Sequence, residues 1–229
     1  MRSRMFRGAG LAAMLIAGLA ASACSSPPPG SKTAAKLMPQ VQALARQAQS
    51  VHIAGSATEH SQTVTINLSF SGNSLAGTVG EGGHTFTLLS LNGQTFFKVD
   101  APFLSFAQLP AADCARFCGK YVELPAAATA QLTGSLSLHS FVTVAFSNKN
   151  ITSAAKSGCV FSPATVHGTS VLQCRQDGAT IDVAAHGQPY LLYVTGPHGE
   201  NLTFSDWNSV VLPTPPPASK VINPSQLGG

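Results

Sequence analysis

Charged side chains are scarce in this chain. Lysine and arginine number 13 and aspartate and glutamate 9, together 10% of the residues, against about 25% in a typical soluble domain. Three of the basic residues, Arg2, Arg4 and Arg7, lie in the first seven positions, so the remainder holds ten bases against nine acids. No basic stripe interleaved with aromatic residues is left, which excludes the usual footprint of a nucleic-acid-binding domain.

Sequence motifs of catalysis are also missing. The chain has no His-Glu-x-x-His, no glycine-rich phosphate loop ending in Lys-Ser/Thr and no Gly-x-Ser-x-Gly, which removes the signatures of zinc proteases, P-loop NTPases and α/β-hydrolases. The seven histidines are scattered, and four of them adjoin a glycine, which is typical of turns. A Ser-His-Asp set could assemble from distant positions, so a hydrolase remains an alternative. We nevertheless predict no enzyme activity and no cofactor.

The N-terminal segment carries the pattern of an export signal. Basic residues precede an apolar stretch, Gly8 to Ala23, that ends in small side chains, and this stretch is shorter than the roughly 20 apolar residues that span a bilayer comfortably. Cys24 follows directly, and a linker rich in serine and proline comes next. This order resembles a bacterial lipoprotein signal with its lipobox, which implies that Cys24 is acylated and begins the mature chain. The alternative is an ordinary signal peptide, cut after Ala23, that leaves Cys24 as a free thiol.

The chain therefore divides into four predicted segments. They are a lipoprotein signal peptide (1–23), a lipidated N-terminus with a flexible linker (24–32), one lipid-binding-like α+β domain (33–212) and a proline-rich tail (213–229). We expect the tail to form neither ladder nor helix and to lie along the surface. The lipid anchor implies a monomer attached to the cell membrane on its extracytoplasmic side.

Four cysteines remain after Cys24, an even number that predicts two disulfides in an oxidising compartment. Three pairings are possible. We favour Cys159–Cys174, because these residues bracket a predicted hairpin, and Cys114–Cys118, which lie within one loop. A metal site is the alternative for "DCARFC", but its cysteines are four apart with no second pair or histidine at ligand spacing. We therefore predict no metal.

Apolar periodicity predicts the order of elements. Residues 33–50 have helical spacing, and because Pro39 is tolerated only in a first turn, the helix should start near Met38. The period then changes to two, as in "QTVTINLSF", and predicts a five-stranded antiparallel meander from Val51 to Val99. Within it, Asn92-Gly93 fits a two-residue hairpin with positive φ at both positions. Residues 101–147 predict one or two helices, and five or six strands follow from Ile151 onward.

These elements predict an α+β fold. A curved antiparallel half-barrel of about 10–11 strands should wrap around helices, because sequential strands with one apolar face need something to cover that face. The N-terminal helix and the 101–147 insert are the large apolar elements available for this.

Several segments together carry a family resemblance. They are the lipobox Cys24, "SVHIAGSATE", "GHTFTLLSLNGQTFFKV", "CGKYVELP" and "HGQPYLLYVTGPHGENLTFSDWN". This layout resembles the actinobacterial (mycobacterial LppX/LprG-type) cell-envelope lipoproteins, which share the fold of the LolA/LolB lipoprotein carriers. The resemblance implies an apolar cavity between sheet and helices that binds the acyl chains of lipids or glycolipids on their way through the envelope. The alternative is a non-catalytic cell-surface module that binds a protein or a glycan.

Candidate cavity-lining residues are apolar side chains of the insert. Phe103, Leu104, Phe106 and Leu109 lie in a stretch flanked by prolines, as expected of a lip at a cavity mouth. Leu132, Leu136 and Phe141 follow in the predicted helices. The alternative for all seven residues is that they fill an ordinary core.

Overall fold

The structure, a computed structural model, describes residues 29–59, 62–135, 137–147, 158–197 and 199–226. The predicted signal peptide, Cys24 and Leu136 lie outside these ranges. Within the described part of the chain, no helix is both long enough and apolar enough to cross a membrane.

The domain begins with a short strand, β1 (Lys32–Thr33), and a helix, α1 (Ala34–Gln47). The helical spacing is confirmed by five buried residues on one face of α1: Ala34, Leu37, Met38, Val41 and Ala45. The predicted start near Met38 is wrong, because Pro39 lies inside the helix. Proline removes one interior backbone hydrogen bond, and the burial of Ala34 and Leu37 holds the turns before it against the sheet.

Five antiparallel strands follow, as the alternation predicts. They are β2 (Ser50–Glu59), β3 (Gln62–Ser71), β4 (Ser74–Glu81), β5 (His84–Leu91) and β6 (Gln94–Lys98). Asn92 and Gly93 join the last two strands with φ of 53° and 78°. These two positive angles are what the predicted hairpin requires.

The insert holds four short helices and a strand, where one or two helices are predicted. The elements are α2 (Ala101–Phe106), α3 (Cys114–Phe117), β7 (Tyr121–Glu123), α4 (Ala126–Ser135) and α5 (Leu138–Ser147). The difference arises at Pro110, which cannot continue a helix, and at Gly119, whose φ of 84° ends the next one.

The second block contributes five more antiparallel strands, and the tail adds one. The strands are β8 (Val160–Val166), β9 (Thr169–Gln176), β10 (Ala179–Ala184), β11 (Leu191–Thr195), β12 (Asn201–Ser205) and β13 (Val221–Ile222). All thirteen strands form one sheet, in the order β1-β8-β9-β10-β11-β12-β2-β3-β4-β5-β6-β7-β13. The two blocks therefore meet where β12 pairs with β2.

The predicted α+β class and curved antiparallel sheet are confirmed, with thirteen strands rather than the predicted number of about 10–11. The additional strands β1, β7 and β13 have only two or three residues each, too few to show an alternating pattern. Curvature is required because Leu172 of β9 and Leu88 of β5 pack in one core. The seven steps between these strands would separate them by roughly 34 Å in a flat sheet.

The main core lies between the inner face of the sheet and two helices. Helix α1 supplies its five buried residues, and α5 supplies Leu138 and Val142. A second, small core joins α2 and α3 to the end of the sheet; its buried members are Val99, Leu104, Phe117, Val122 and Ile222. A third cluster lies on the opposite, outer face, where Leu89 and Phe96 are buried.

The tail joins the sheet, which corrects the prediction that it forms no ladder. Val221 and Ile222 pair in parallel with Tyr121 and Val122 of β7. They can do so because the prolines of the tail lie on either side of this pair, and both residues keep a backbone N–H donor. The tail is thus part of the second and third cores.

Both favoured disulfides are present. Cys159–Cys174 links the residue before β8 to β9 with a Cα–Cα distance of 6.1 Å, and Cys174 is buried in the main core. Cys114–Cys118 spans α3 with a Cα–Cα distance of 4.6 Å.

Candidate functional site

A row of apolar residues crosses the inner face of the sheet. The register runs from Val194 to Leu202, Gly55 and Ile66 on successive strands and continues to β4 and β5. The apolar row is defined here as Val194, Leu202, Gly55, Ile66, Val79 and Phe86. At about 4.8 Å per strand, its five steps cover roughly 24 Å. All six residues are half-buried, so the row offers partly exposed apolar surface.

The next row on the same face is closed. Phe204, Ile53, Leu68 and Leu88 follow each other on β12, β2, β3 and β5, and each is at most 4% exposed. Helix α5 covers this part of the face, because the Phe141 ring lies 6.0 Å from the Phe70 ring and 6.3 Å from the Phe204 ring. The apolar row is therefore the place where the cover provided by the described helices ends.

Two glycines shape this face. Gly55 lies in the apolar row, and Gly77 lies between Leu68 and Leu88 in the closed row. Their φ angles are 145° and 148°, and an added Cβ would collide with the carbonyl oxygen of Asn201 or of Asn67, respectively. Glycine is required at both positions. Because Gly55 has no side chain, the apolar row has a shallow depression at its third residue.

Two polar residues border the row on β4 and β5. Two residues further along the same strands, Ala57 pairs with Val64, Val64 with Glu81 and Glu81 with His84. Glu81 is exposed. The apolar surface thus ends at polar side chains on β4 and β5, whereas Ala57 and Val64 continue it on β2 and β3.

The structure places the predicted lining residues in different surroundings. Leu104 is buried in the second core, with Phe103 and Leu109 packed against it, and the Phe103 ring lies 6.3 Å from the Phe97 ring of the inner face. Phe141 reaches the inner face directly. The side chains of Phe106 and Leu132 lie outside the description, and a lining role for all seven residues remains a prediction.

Sequence reasoning did not select the residues of the apolar row as site residues. Ile66 belongs to the alternating face of "QTVTINLSF", and Val79, Val194 and Leu202 lie in other strand-like runs. Alternation identifies the apolar face of a strand, but it does not show which half of that face a helix covers. Glycine in a strand interior, as at positions 55 and 77, is a usable signal, since it marks bends and close approaches of other groups.

The outer face carries a histidine beside a serine. His52 Nδ1 lies 3.1 Å from Ser205 Oγ, and His52 Nε2 lies 2.8 Å from Asn67 Oδ1. Ser205 Oγ also donates to Asp206 Oδ2 at 3.0 Å. These side-chain hydrogen bonds tie β2, β3 and β12 together on the outer face.

Asp182 is a buried carboxylate on the outer face. It is 3% exposed and accepts a hydrogen bond from Gln173 Nε2 at 2.8 Å. Burial raises the pKa of Asp182 above its ordinary 3.8, while the Gln173 hydrogen bond and the charges of Arg175 and His167 oppose that rise. Desolvation is the larger effect, so ionised Asp182 costs the folded state free energy.

We expect Asp182→Asn to increase the free energy of unfolding at pH 7. Because the folded pKa is raised, the native state binds the proton more tightly, and stability falls as the pH rises from the unfolded pKa through the folded one. Each unit of elevation corresponds to about 1.4 kcal/mol, and asparagine keeps the acceptor for Gln173. Urea unfolding at pH 3 and pH 7 measures the effect, which should shrink at pH 3. Glu81→Gln, at an exposed carboxylate, is the control. The prediction is contradicted if Asp182→Asn has a lower free energy of unfolding than the wild type at pH 7 but not at pH 3.

Comparison with known proteins gave structural likenesses only. No protein-family model matches the chain, and no curated protein matches it. Among solved structures, the chain is similar to LprF from Mycobacterium bovis, with 13% identity and a TM-score of 0.46, covering 83% of this chain and 99% of that one. It is also similar to lipoprotein LppX from Mycobacterium tuberculosis, with 13% identity and a TM-score of 0.45, covering 78% of this chain and 97% of that one. Both are mycobacterial proteins, and LppX is named as a lipoprotein.

Proposed function

We propose that this chain is a monomeric cell-envelope lipoprotein that binds acylated lipids or glycolipids and transfers them through the envelope. Cys24 carries the lipid anchor and holds the domain at the extracytoplasmic side of the membrane. The apolar row on the inner face receives the acyl chains of the ligand. The protein acts by binding and not by catalysis.

The observation that carries this proposal is the half-buried apolar row. Four residues of the row pack against the main core on one side, and the described residues leave the row half-buried. Protein interiors are closely packed, so an apolar surface left partly exposed marks a place for an apolar partner. The row is continuous over six strands, lacks a side chain at Gly55 and borders the polar residues Glu81 and His84 on β4 and β5. This shape suits a long flexible hydrocarbon better than a compact polar ligand.

Adjacent residues of β4 offer a matched test. Val79 belongs to the apolar row, whereas Thr78 points to the outer face. We expect Val79→Glu to reduce uptake of a fluorescent diacyl lipid at least tenfold, because a carboxylate in contact with acyl chains must lose its hydration. Thr78→Glu should leave uptake unchanged. Uptake is measured by titrating the delipidated, non-acylated mature protein, and circular dichroism establishes that each variant is folded.

A second substitution guards against a folding defect in Val79→Glu. Ile66→Trp adds bulk to the row without adding charge, and it should also reduce uptake. Failure of the delipidated wild type to take up any diacyl lipid would overturn the proposal. Equal uptake by Val79→Glu, Ile66→Trp and the wild type would show that the lipid binds somewhere other than the apolar row.

One feature favours the alternative of an interaction module. A groove with a volume of about 770 Å³ runs along the edge of the sheet between the start of α4 and the tail. Leu124, Pro125, Val221 and Ile222 are among the residues that line it. A protein partner recovered by cross-linking at this groove, together with no lipid uptake, would support the interaction module over the lipid carrier.

A further inference from the structure

Two cations flank one buried aromatic ring in the small second core. The Arg116 guanidinium carbon lies 4.8 Å from the centroid of the Phe117 ring, and Lys120 Nζ lies 5.6 Å from it. Phe117 is 4% exposed, and packing in the second core holds its ring in place. A cation over an aromatic face is held there by electrostatic attraction, and the Cys114–Cys118 disulfide closes the turn that carries Arg116.

A third cation lies beside them. Val221 pairs with Tyr121 in the parallel ladder, which brings the backbone of Lys220 alongside that of Lys120 on the neighbouring segment. Lys220 and Arg116 are exposed, and Lys120 is half-buried. We refer to Arg116, Lys120 and Lys220 as the cation cluster.

Three carboxylates lie near the cation cluster in sequence. Asp100 accepts from the Phe103 amide at 3.0 Å, at the start of α2, Glu123 accepts from Gln94 Nε2 at 2.9 Å, and Asp113 directly precedes α3 without capping it. Among the described residues, no member of the cation cluster lies within 4.0 Å of a carboxylate oxygen. The three cations are therefore not held in ion pairs there, and their N–H donors can reach an anion from outside the protein.

The cation cluster lies at one end of the apolar row. Leu88 pairs with Phe97, and continuing this register places Val99, the residue directly after β6, level with Phe86, the last residue of the row. The Val99 amide donates to the Lys120 carbonyl at 2.8 Å, which places Lys120 on the following strand at the same level. Phe103 lies between the two regions, in contact with Phe97.

We propose that the cation cluster binds the anionic phosphate of a lipid headgroup whose acyl chains lie along the apolar row. This assignment rests on the proposed lipid-binding function and names the class of ligand, an anionic phospholipid or phosphoglycolipid. Arg116 presents planar N–H donors that match phosphate oxygens, and the lysines add point charges. The acyl chains of such a lipid lie on the apolar row, and its phosphate then reaches the cation cluster at the end of that row.

The test compares two lipids with identical acyl chains. Phosphatidic acid carries the phosphate and diacylglycerol lacks it, and both are titrated into the delipidated, non-acylated mature protein at low ionic strength. Each cation near a lipid headgroup contributes on the order of 1 kcal/mol. We therefore expect the two cations over Phe117 alone to make the wild type bind phosphatidic acid roughly 30-fold more tightly than diacylglycerol.

Charge-neutral variants locate the effect. R116Q/K120Q should lose this preference while its affinity for diacylglycerol is unchanged. The matched control K32Q/K36Q removes two exposed cations at the opposite edge of the sheet and should keep the preference. Inorganic phosphate in the millimolar range should not displace phosphatidic acid, and displacement would identify a site for free phosphate instead.

The two proposals fail in different ways. Equal affinity of the wild type for both lipids, or a preference that survives in R116Q/K120Q, overturns the headgroup site and leaves lipid binding intact. Absence of binding to either lipid overturns both proposals.

Discussion

Replacing Cys24 by alanine is expected to move the protein almost completely from the membrane fraction to the soluble fraction. Each buried methylene of an acyl chain contributes about 0.8 kcal/mol, and two or more chains hold a protein stably where one chain does not. Without the thiol no chain can be attached. Ala21-Ser22-Ala23 still offers small residues for cleavage by an ordinary signal peptidase, so export continues.

Fractionation of cells that express Cys24→Ala, followed by immunoblotting, measures the release. Ser25→Ala is the matched control, because it changes the adjacent linker residue and leaves the thiol in place. An uncut precursor is recognised by its greater mass and is scored separately. A correctly cleaved Cys24→Ala protein that remains in the membrane fraction would contradict acylation as the anchor. The delipidated variant should still take up lipid, because the proposed binding surface lies in the domain and not at Cys24.

Removal of the Cys159–Cys174 disulfide is expected to lower the free energy of unfolding by about 3 kcal/mol. A cross-link restricts the unfolded chain in proportion to the logarithm of the loop it closes, and a loop of roughly 15 residues corresponds to about 3 kcal/mol. The two cysteines are 15 residues apart. Cys174 also lies in the main core, so substitution leaves a small gap that adds to the loss.

The second disulfide provides an internal comparison. Cys114 and Cys118 are four residues apart, and the same relation gives about 2 kcal/mol for so short a loop. Urea unfolding of C159A/C174A, C114A/C118A and the wild type measures both losses. A larger loss for C114A/C118A would show that α3 and the second core, rather than the β8–β9 hairpin, limit the stability of the domain.

Local pattern was sufficient for most of the elements. The alternation in "QTVTINLSF" and in the runs around Asn92-Gly93 predicted β2 to β6, because period two and turn chemistry act over a few residues. The same is true of both disulfides. The errors occurred where local rules are weak or are overridden: a proline inside α1 supported by tertiary packing, and strands of two or three residues that show no period.

The sequence by itself determined the apolar faces, the turns and the scarcity of charge, and it predicts an export signal that ends at Cys24. These follow from residue types at short spacing. The tertiary structure alone decided that β12 pairs with β2, which brings Leu202 opposite Gly55, and that the helices cover one row of the inner face and leave the next row half-exposed. It also decided that Arg116 and Lys120 lie over the same Phe117 ring, and that the strand of the tail beside Lys220 pairs with the one that follows Lys120. Register and helix cover join residues that are more than a hundred positions apart, and no short-range pattern records such contacts.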